Sequence, residues 1–406
     1  MPAGQKFSPL LPAGLVALCF LLGVLSRGLN DAFSVFVLPI SESFAAPRAA
    51  VTGIYAVGMI GMGMAAPVAG ILFDRLGPRL MMALALSGMG LGTVAAGWAQ
   101  SLWHLYLAIG VVGGFACAAL GGVYQAGLLG RWFRARLGTA IGAAYSANGV
   151  GIMIAAPLAA VLIEAVGWRH AYQWLGGAVL VVVVPLLFLP WRRIEAGDPS
   201  LAPIGPAGGA GPSFPQALRR FTFWSLMWAF AWTSVGIYCL TPQLAALLVE
   251  RGYTPAAAAG AVGVSGLLMP IGMVGFNWFA DRGGRLPAVI LSYGCTLAGI
   301  AALAALAEPG QWLLLAGFVV LFGISMGSRG PMISTLAALA FRGPSLGRIY
   351  GTIAMGMGLG GASGAWAGGA LHDHFGGYGA VMILAALSLG LGAVPLAIES
   401  LRAQRC

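Results

Sequence analysis

Charge is what this sequence has least of. Only 8% of its 406 residues are Asp, Glu, Lys or Arg, against about 25% in a typical soluble domain, while 59% are hydrophobic. A soluble fold needs a charged exterior, and too little charge is present to make one. Cysteine is equally uninformative. Cys19, Cys117, Cys239, Cys295 and Cys406 stand alone, with no two at metal-ligand or redox spacing, so they read as small apolar packing residues. No glycine-rich nucleotide-binding loop is present, which argues against direct ATP drive. No His, Asp and Ser constellation gathers at one depth, which argues against an intramembrane enzyme. His372 and His374 flank Asp373 in LHDHFGGY, but these are too few ligands for a metal, and the run reads as a solvated helix end. The sequence calls for no metal and no cofactor.

What the chain does have is long uncharged runs. Twelve of them recur, at about 10–38, 49–73, 79–99, 102–129, 137–164 and 168–190, then 222–249, 256–280, 286–307, 311–340, 346–371 and 378–399. Each is near the roughly 20 residues that cross about 30 Å of hydrocarbon. They must be helices: an open strand leaves backbone groups unpaired in lipid, and the polar alternation of a barrel is missing. The expected fold is an all-α membrane protein of twelve spans, with the lipid bilayer as its solvent. The opening MPAGQKFSPLL reads as part of the first anchor, since no cleavage site follows it. WRRIEAGDPSLAPIGPAGGAGPSFPQALRRF, rich in Pro, Gly and Ala, separates two bundles at 1–190 and 221–406 as a linker at 191–220, with FPQALRRF as a short surface helix.

The net charge of +10 does not signal nucleic acid, because the basic residues fall one to three at a time in short loops. With the amino terminus in the cytoplasm, sixteen Lys and Arg, Lys6 and Arg134 among them, gather on that side, against Arg48, Arg169 and Arg251 opposite. The positive-inside rule therefore places both termini in the cytoplasm and the protein in the cytoplasmic (inner) membrane.

The chain also repeats itself. A shift of 209 residues lays Leu137, Gly138, Gly142, Gly149, Gly151 and Gly167 on Leu346, Gly347, Gly351, Gly358, Gly360 and Gly376, and Gly114 and Gly121 on Gly323 and Gly330. Two six-helix halves in parallel repeat place a substrate site between them, near the midplane. Small residues at this spacing let helices approach closely.

GILFDRLGPR, at 70–79, sets Gly70, Asp74, Arg75, Gly77 and Arg79 between the second and third spans, and a degenerate copy, NWFADRGGR at 277–285, supplies Asp281 and Arg282. Here the chain resembles the major facilitator superfamily, whose signature loop is GxxxDRxGxR. The resemblance covers nearly the whole chain and implies a cytoplasmic latch, built on Asp74 and its arginines, that holds an outward-facing state. RWFRARLGTAIG and GWRHAY, with SLGRIYGTIAMGMGLGGASGAWAGGALHDHFGGY, are similar to the bacterial monocarboxylate and oxalate/formate branch. The chain departs from it at Leu137, where the branch often has Arg, in an eighth span without an acidic and Arg pair, and in an eleventh span without Lys.

Only Arg27, Asp31 and Arg329 place charge well inside spans, at about 2.5–3.5 kcal/mol each. Arg27 and Asp31 are four apart, on one helix face, with Asn30 beside them. The resemblance implies that the first helix of each half lines the cavity. Arg329, with Gly327, Gly330 and Pro331 around it, has the planar fork that grips a carboxylate; hydrogen bonding to a neighbouring helix is its other reading. Tyr124, Gln125, Tyr145, Asn148 and Tyr238 are further candidates for the site wall. The sequence thus points to a secondary transporter of small organic anions, with a proton or counter-anion as coupling partner, working as a monomer. Drug efflux and ligand sensing without transport remain as alternatives.

Overall fold

A computed structural model describes residues 10–46, 48–133, 136–197 and 211–405. The first nine residues with Lys6, Arg134, linker residues 198–210 and Cys406 lie outside the described residues. Every regular element among the described residues is helical. The first half runs through α1 (Leu10–Asp31), α2 (Phe33–Ser43), α3 (Arg48–Ala96), α4 (Leu102–Leu105), a π-helical stretch (Tyr106–Gly113), α5 (Gly114–Leu120), α6 (Gly122–Leu129), α7 (Leu137–Tyr145) and α8 (Ala147–Leu187). Two short helices follow, α9 (Trp191–Ala196) and α10 (Phe214–Leu218). The rest comprises α11 (Phe221–Tyr238), a 3₁₀ turn (Thr241–Gln243), α12 (Leu244–Glu250), α13 (Pro255–Gly283), α14 (Arg285–Ala305), α15 (Trp312–Met326), α16 (Arg329–Ala340), α17 (Leu346–Phe375) and α18 (Gly379–Arg405).

Among the described residues, nine apolar stretches are long enough to cross a membrane. Two of them, Gly53–Ala96 and Leu137–Leu187, run to 44 and 51 residues, roughly twice the hydrocarbon thickness at about 1.5 Å per residue. Each contains a glycine that turns the chain back, Gly77 with φ 76° and Gly167 with φ 78°. Only glycine takes that backbone conformation without strain, so each stretch is two crossings. Helix α17 is 30 residues long, its many glycines lowering its hydropathy, and it completes the twelve crossings among the described residues. An even number leaves both ends of the described chain on one face. Large apolar side chains such as Trp103, Phe188, Leu313 and Trp366 stay exposed on the outside, as lipid-facing positions do.

The uninterrupted spans expected at 10–38, 102–129, 222–249 and 311–340 are each broken. The α-helix is interrupted at Ala32, at Gly121, at residues 239–243 and at Gly327 with Ser328, although Ala32, Cys239, Leu240, Gly327 and Ser328 keep right-handed helical angles. The fourth span is the most irregular: after the single turn α4 it runs through the π-helical stretch, and Gly121 takes φ −80°, ψ −140°, outside the helical region. Apolar periodicity cannot reveal such breaks, since a bent helix and a straight one share the same hydrophobic run. Helix α10 forms as expected and carries a capping box between Ser213 and Gln216.

Several of the repeated glycines, Gly142, Gly149, Gly351 and Gly358 among them, line the seams between the halves. A Cβ on Gly63 would stand 2.7 Å from the Cα of Gly358, and one on Gly351 would strike the Ala66 carbonyl. The other seam matches: a Cβ on Gly149 would meet Pro270 at 2.6 Å, and one on Gly142 the Met273 carbonyl at 2.5 Å. The first limb of α3 therefore packs backbone to backbone on α17, and α7 with α8 on α13.

Candidate functional site

Both loop motifs act on helix starts across these seams. Asp74 accepts backbone hydrogen bonds from Gly347 (2.8 Å) and Arg348 (2.7 Å), in the first turn of α17. Asp281 accepts from Thr139, through its N–H (2.6 Å) and its hydroxyl (2.7 Å), in the first turn of α7. A carboxylate at a helix amino terminus satisfies orphan amides and meets the positive end of the dipole. Burial pushes the Asp74 carboxyl up to about 6, against the pull of its two backbone donors. Gly70 touches Gly347 beside Asp74, and Gly77 makes the turn that follows. Arg75, Arg79 and Arg282 are exposed, and Arg282 lies 4.6 Å over the Trp278 ring. The contacts across the seam are made by the two carboxylates, not by the flanking arginines. Of their partners, Gly347 is one of the repeated glycines, while Thr139 and Arg348 carried no sequence signal beyond following the repeated Leu137–Gly138 and Leu346–Gly347.

Above this closed face lies a cavity of about 890 Å³. Its wall comes from the first, second, fourth, fifth, seventh, eighth, tenth and eleventh spans, with none of the described residues of the other four. Tyr145 and Tyr350 stand at its floor and Pro157, Thr241 and Gly263 further along, so it extends away from the loops of Asp74 and Asp281. The floor is pinned across the halves by three hydroxyls: Tyr145 Oη lies 2.9 Å from Ser334 Oγ and 3.0 Å from Tyr350 Oη, and Ser334 Oγ lies 2.5 Å from Tyr350 Oη. The walls are mostly apolar, with Met62, Met153, Met269, Met273, Met326 and Met357 among them.

Arg27 and Asp31 face this cavity as a pair, Nη2 to Oδ2 at 3.2 Å. Asp31 also accepts from Tyr55 Oη (2.9 Å) and Asn30 Nδ2 (3.2 Å), and Arg27 Nη1 reaches Met62 Sδ at 3.5 Å. Arg329 is different. It is 1% exposed, yet it lines the same cavity. Its Nη2 donates to the Ser292 carbonyl (2.8 Å) and to Thr296 Oγ1, and its guanidinium lies 4.4 Å over the Tyr293 ring. Nε and Nη1 have no partner, and no carboxylate among the described residues pairs with it. One arm of the fork is thus bound to the ninth span, and the remaining donors are left unspent. A grip through both terminal nitrogens at once, as the free fork offers, would have to displace Ser292 and Thr296.

Of the other residues singled out from the sequence, Gln125, Tyr145, Asn148 and Tyr238 line the cavity. Asn30 and Tyr124 do not: Asn30 holds Asp31, and Tyr124 is fully buried edge-on to Phe73, ring centroids 5.6 Å apart. Ser334, Tyr350 and the methionines were not anticipated; nothing in their local sequence separates them from packing residues. His372 Nε2 lies 3.7 Å from Glu250 Oε1, to which Tyr378 also donates.

A family model described as Major Facilitator Superfamily matches residues 16–328. Monocarboxylate transporter 13 of Bos taurus is 29% identical over 383 residues, covering 93% of this chain and 87% of its own. The 3-(3-hydroxy-phenyl)propionate transporter of Escherichia coli (strain K12) is 29% identical over 400 residues, covering 96% and 94%. Among solved structures, the E. coli fucose:proton symporter FucP matches with a TM-score of 0.73 at 16% identity, over 97% of this chain and 99% of its own. The proton:xylose symporter XylE gives 0.74 at 16% identity, over 96% and 98%. At such identity the two structures speak for the fold alone. The relatives are transporters and not enzymes. With the family match spanning most of its length and the twelve-span architecture to go with it, the chain belongs to the Major Facilitator Superfamily.

Proposed function

We propose that the protein carries small organic anions, monocarboxylates in the first place, across the cytoplasmic membrane by alternating access. The observation that carries this reading is Arg329, a buried cation in the cavity wall with two unpartnered nitrogens. An unpaired charge at membrane depth is costly, and an anionic cargo supplies the missing counter-charge. Relatives named for monocarboxylates and for a phenylpropionate support it. Residues 1–190 and 221–406 are the two moving halves and 191–220 their tether, with the Asp74 face and both termini in the cytoplasm. The working unit is one chain, because its cavity is built from both of its own halves. Asp31 is the coupling group: protonation releases Arg27 from the pair, so cargo and proton occupancy rise together. Exchange against a counter-anion is the alternative form of coupling. The Met-rich wall also suits amphipathic drugs, and inhibitory concentrations in an overexpressing strain test that reading.

Uptake of labelled monocarboxylates into proteoliposomes tests the main one. Arg329→Ala is expected to abolish uptake and Arg329→Lys to retain a small part of it. Uptake that survives both substitutions removes Arg329 from the site.

A further inference from the structure

Asp31 is held through both of its oxygens. Arg27 Nη2 lies 3.2 Å from Oδ2, while Tyr55 of the second span donates to Oδ1 at 2.9 Å and Asn30 Nδ2 donates to it at 3.2 Å. Arg27 and Asp31 line the cavity, and Tyr55 lies outside its wall. Tyr55 is half-buried, and its ring stacks on Phe33 with centroids 6.3 Å apart, which holds the hydroxyl toward the carboxylate. The other titratable groups that face the pair are Cys117 in α5 and Tyr238 in α11. Cys117 donates its thiol hydrogen to the Ser26 carbonyl, and Tyr238 lines the cavity.

These partners differ in what they can do once Asp31 takes up a proton. A guanidinium and an amide nitrogen only donate, whereas a phenol hydroxyl both donates and accepts. A proton added at Oδ1 turns that oxygen from acceptor into donor. Tyr55 answers by rotating its own hydrogen about the C–O bond and accepting the new O–H, and it keeps its own proton throughout. The charge that paired with Arg27 is then gone. A buried carboxylic acid without a partner would be costly, and the reversed bond removes that cost. We propose that Tyr55 is the positioning residue of the coupling carboxyl, holding Asp31 in both protonation states so that Arg27 is released toward the cargo without an unpaired acid behind it. This rests on the coupling role given to Asp31 above.

Tyr55→Phe keeps the ring and its stack on Phe33 and removes only the hydroxyl. Uptake of a labelled monocarboxylate by the full-length protein in proteoliposomes is followed from about pH 5 to about pH 8. The hydrogen bond to the charged carboxylate is stronger than the reversed bond to the neutral acid, so Tyr55 favours the ionised form on balance. Without it the proton binds more readily, and the midpoint at which uptake rises with acidity should move up by about half to one pH unit. A merely structural role would lower uptake at every pH and leave the midpoint in place. A midpoint that is unchanged, or moves to lower pH, overturns the role of Tyr55. The reversal is also read in the wild type, from the infrared difference between acid and neutral samples. A tyrosine C–O band should shift as the hydroxyl passes from donor to acceptor, and should be lost in both Tyr55→Phe and Asp31→Asn. Absence of that band in the wild type overturns the inference whether or not a variant folds. Wild-type uptake that does not respond to pH overturns the coupling role of Asp31 and this inference with it, while leaving the anion-carrier reading intact.

Discussion

The two halves agree in framework and differ in chemistry. Asp74 meets the start of α17 as Asp281 meets the start of α7, and Gly351 against Ala66 mirrors Gly142 against Met273. The charges do not repeat. Arg27 leaves only Nε unpartnered and is neutralised in place by Asp31, whereas Arg329 leaves Nε and Nη1 unpartnered and pairs with no carboxylate among the described residues, and the position equivalent to Arg329 in the first half is Leu120. The seams are alike because each half sets the same loop carboxylate and the same small residues against the other. The cavity wall has no such constraint, so each half contributes its own part of the site.

The largest effects are expected where the halves should behave alike. Gly142→Val and Gly351→Val each drive a side chain into the backbone of the opposite half, and packed backbones yield only by moving apart. Both variants should open the Asp74 face and cut transport by at least about tenfold, to similar extents. Spin labels at the exposed positions Arg75 and Arg282, on opposite sides of that face, report the separation. Widening in one variant alone would show that the two seams are not equivalent.

Asp31→Asn breaks the difference between the arginines. It leaves Arg27 facing the cavity without its ion pair, in the condition of Arg329. Anion affinity should rise several-fold and lose its dependence on pH, since the variant mimics the protonated carboxyl. Transport that keeps its full dependence on a pH gradient would dispose of the coupling role.

A smaller effect is expected at the seam carboxylate Asp74. Asp74 has its carboxyl raised to about 6 by burial in the closed seam; once the seam opens, solvent returns it toward about 4. The form with the higher pKa takes up the proton, so closure is favoured as pH falls through about 6, and that advantage is lost as pH rises past it. Partial exposure of Asp74 keeps the shift to a few-fold. The label distance should shorten between pH 7 and pH 5 in the wild type, and Asp74→Asn should flatten the response.

How much of this was legible in the sequence follows from what sequence patterns encode. Hydropathy gave the twelve spans, because the bilayer imposes length and apolarity on each. The 209-residue repeat gave the seam glycines, since close backbone approach tolerates little else. Arg27, Asp31 and Arg329 stood out because charge at membrane depth is rare. Tyr124 did not belong with them: beside Gln125 in sequence, it points about 100° away around the helix and packs on Phe73. The breaks at Gly121 and Gly327 were hidden, because sixty-four glycines in one chain make any single one unremarked. Which partners met Asp74, and which hydroxyls met Tyr145, depended on how the halves dock, and no local pattern records that.

The floor of the cavity gives the subtlest test of the same contrast. Tyr145, Ser334 and Tyr350 tie the halves together through hydroxyls, yet the repeat places Ala354, Gln125 and Ile141 at the equivalent positions. The cluster is therefore a single tie, not one of a matched pair. Tyr350→Phe removes its hydroxyl and leaves the 2.9 Å contact of Tyr145 with Ser334 in place. One buried hydrogen bond contributes about 1 kcal/mol, so the variant should move the closed-to-open ratio about fivefold toward open, well short of the glycine variants. Removing Ser334 as well should cost more than Tyr350→Phe alone, since it also takes away the remaining partner of Tyr145. A Tyr350→Phe protein whose label distances match the wild type would mean that the seam glycines, the two carboxylates and the hydrogen bond from Arg342 to the Phe133 carbonyl hold the face shut without this cluster.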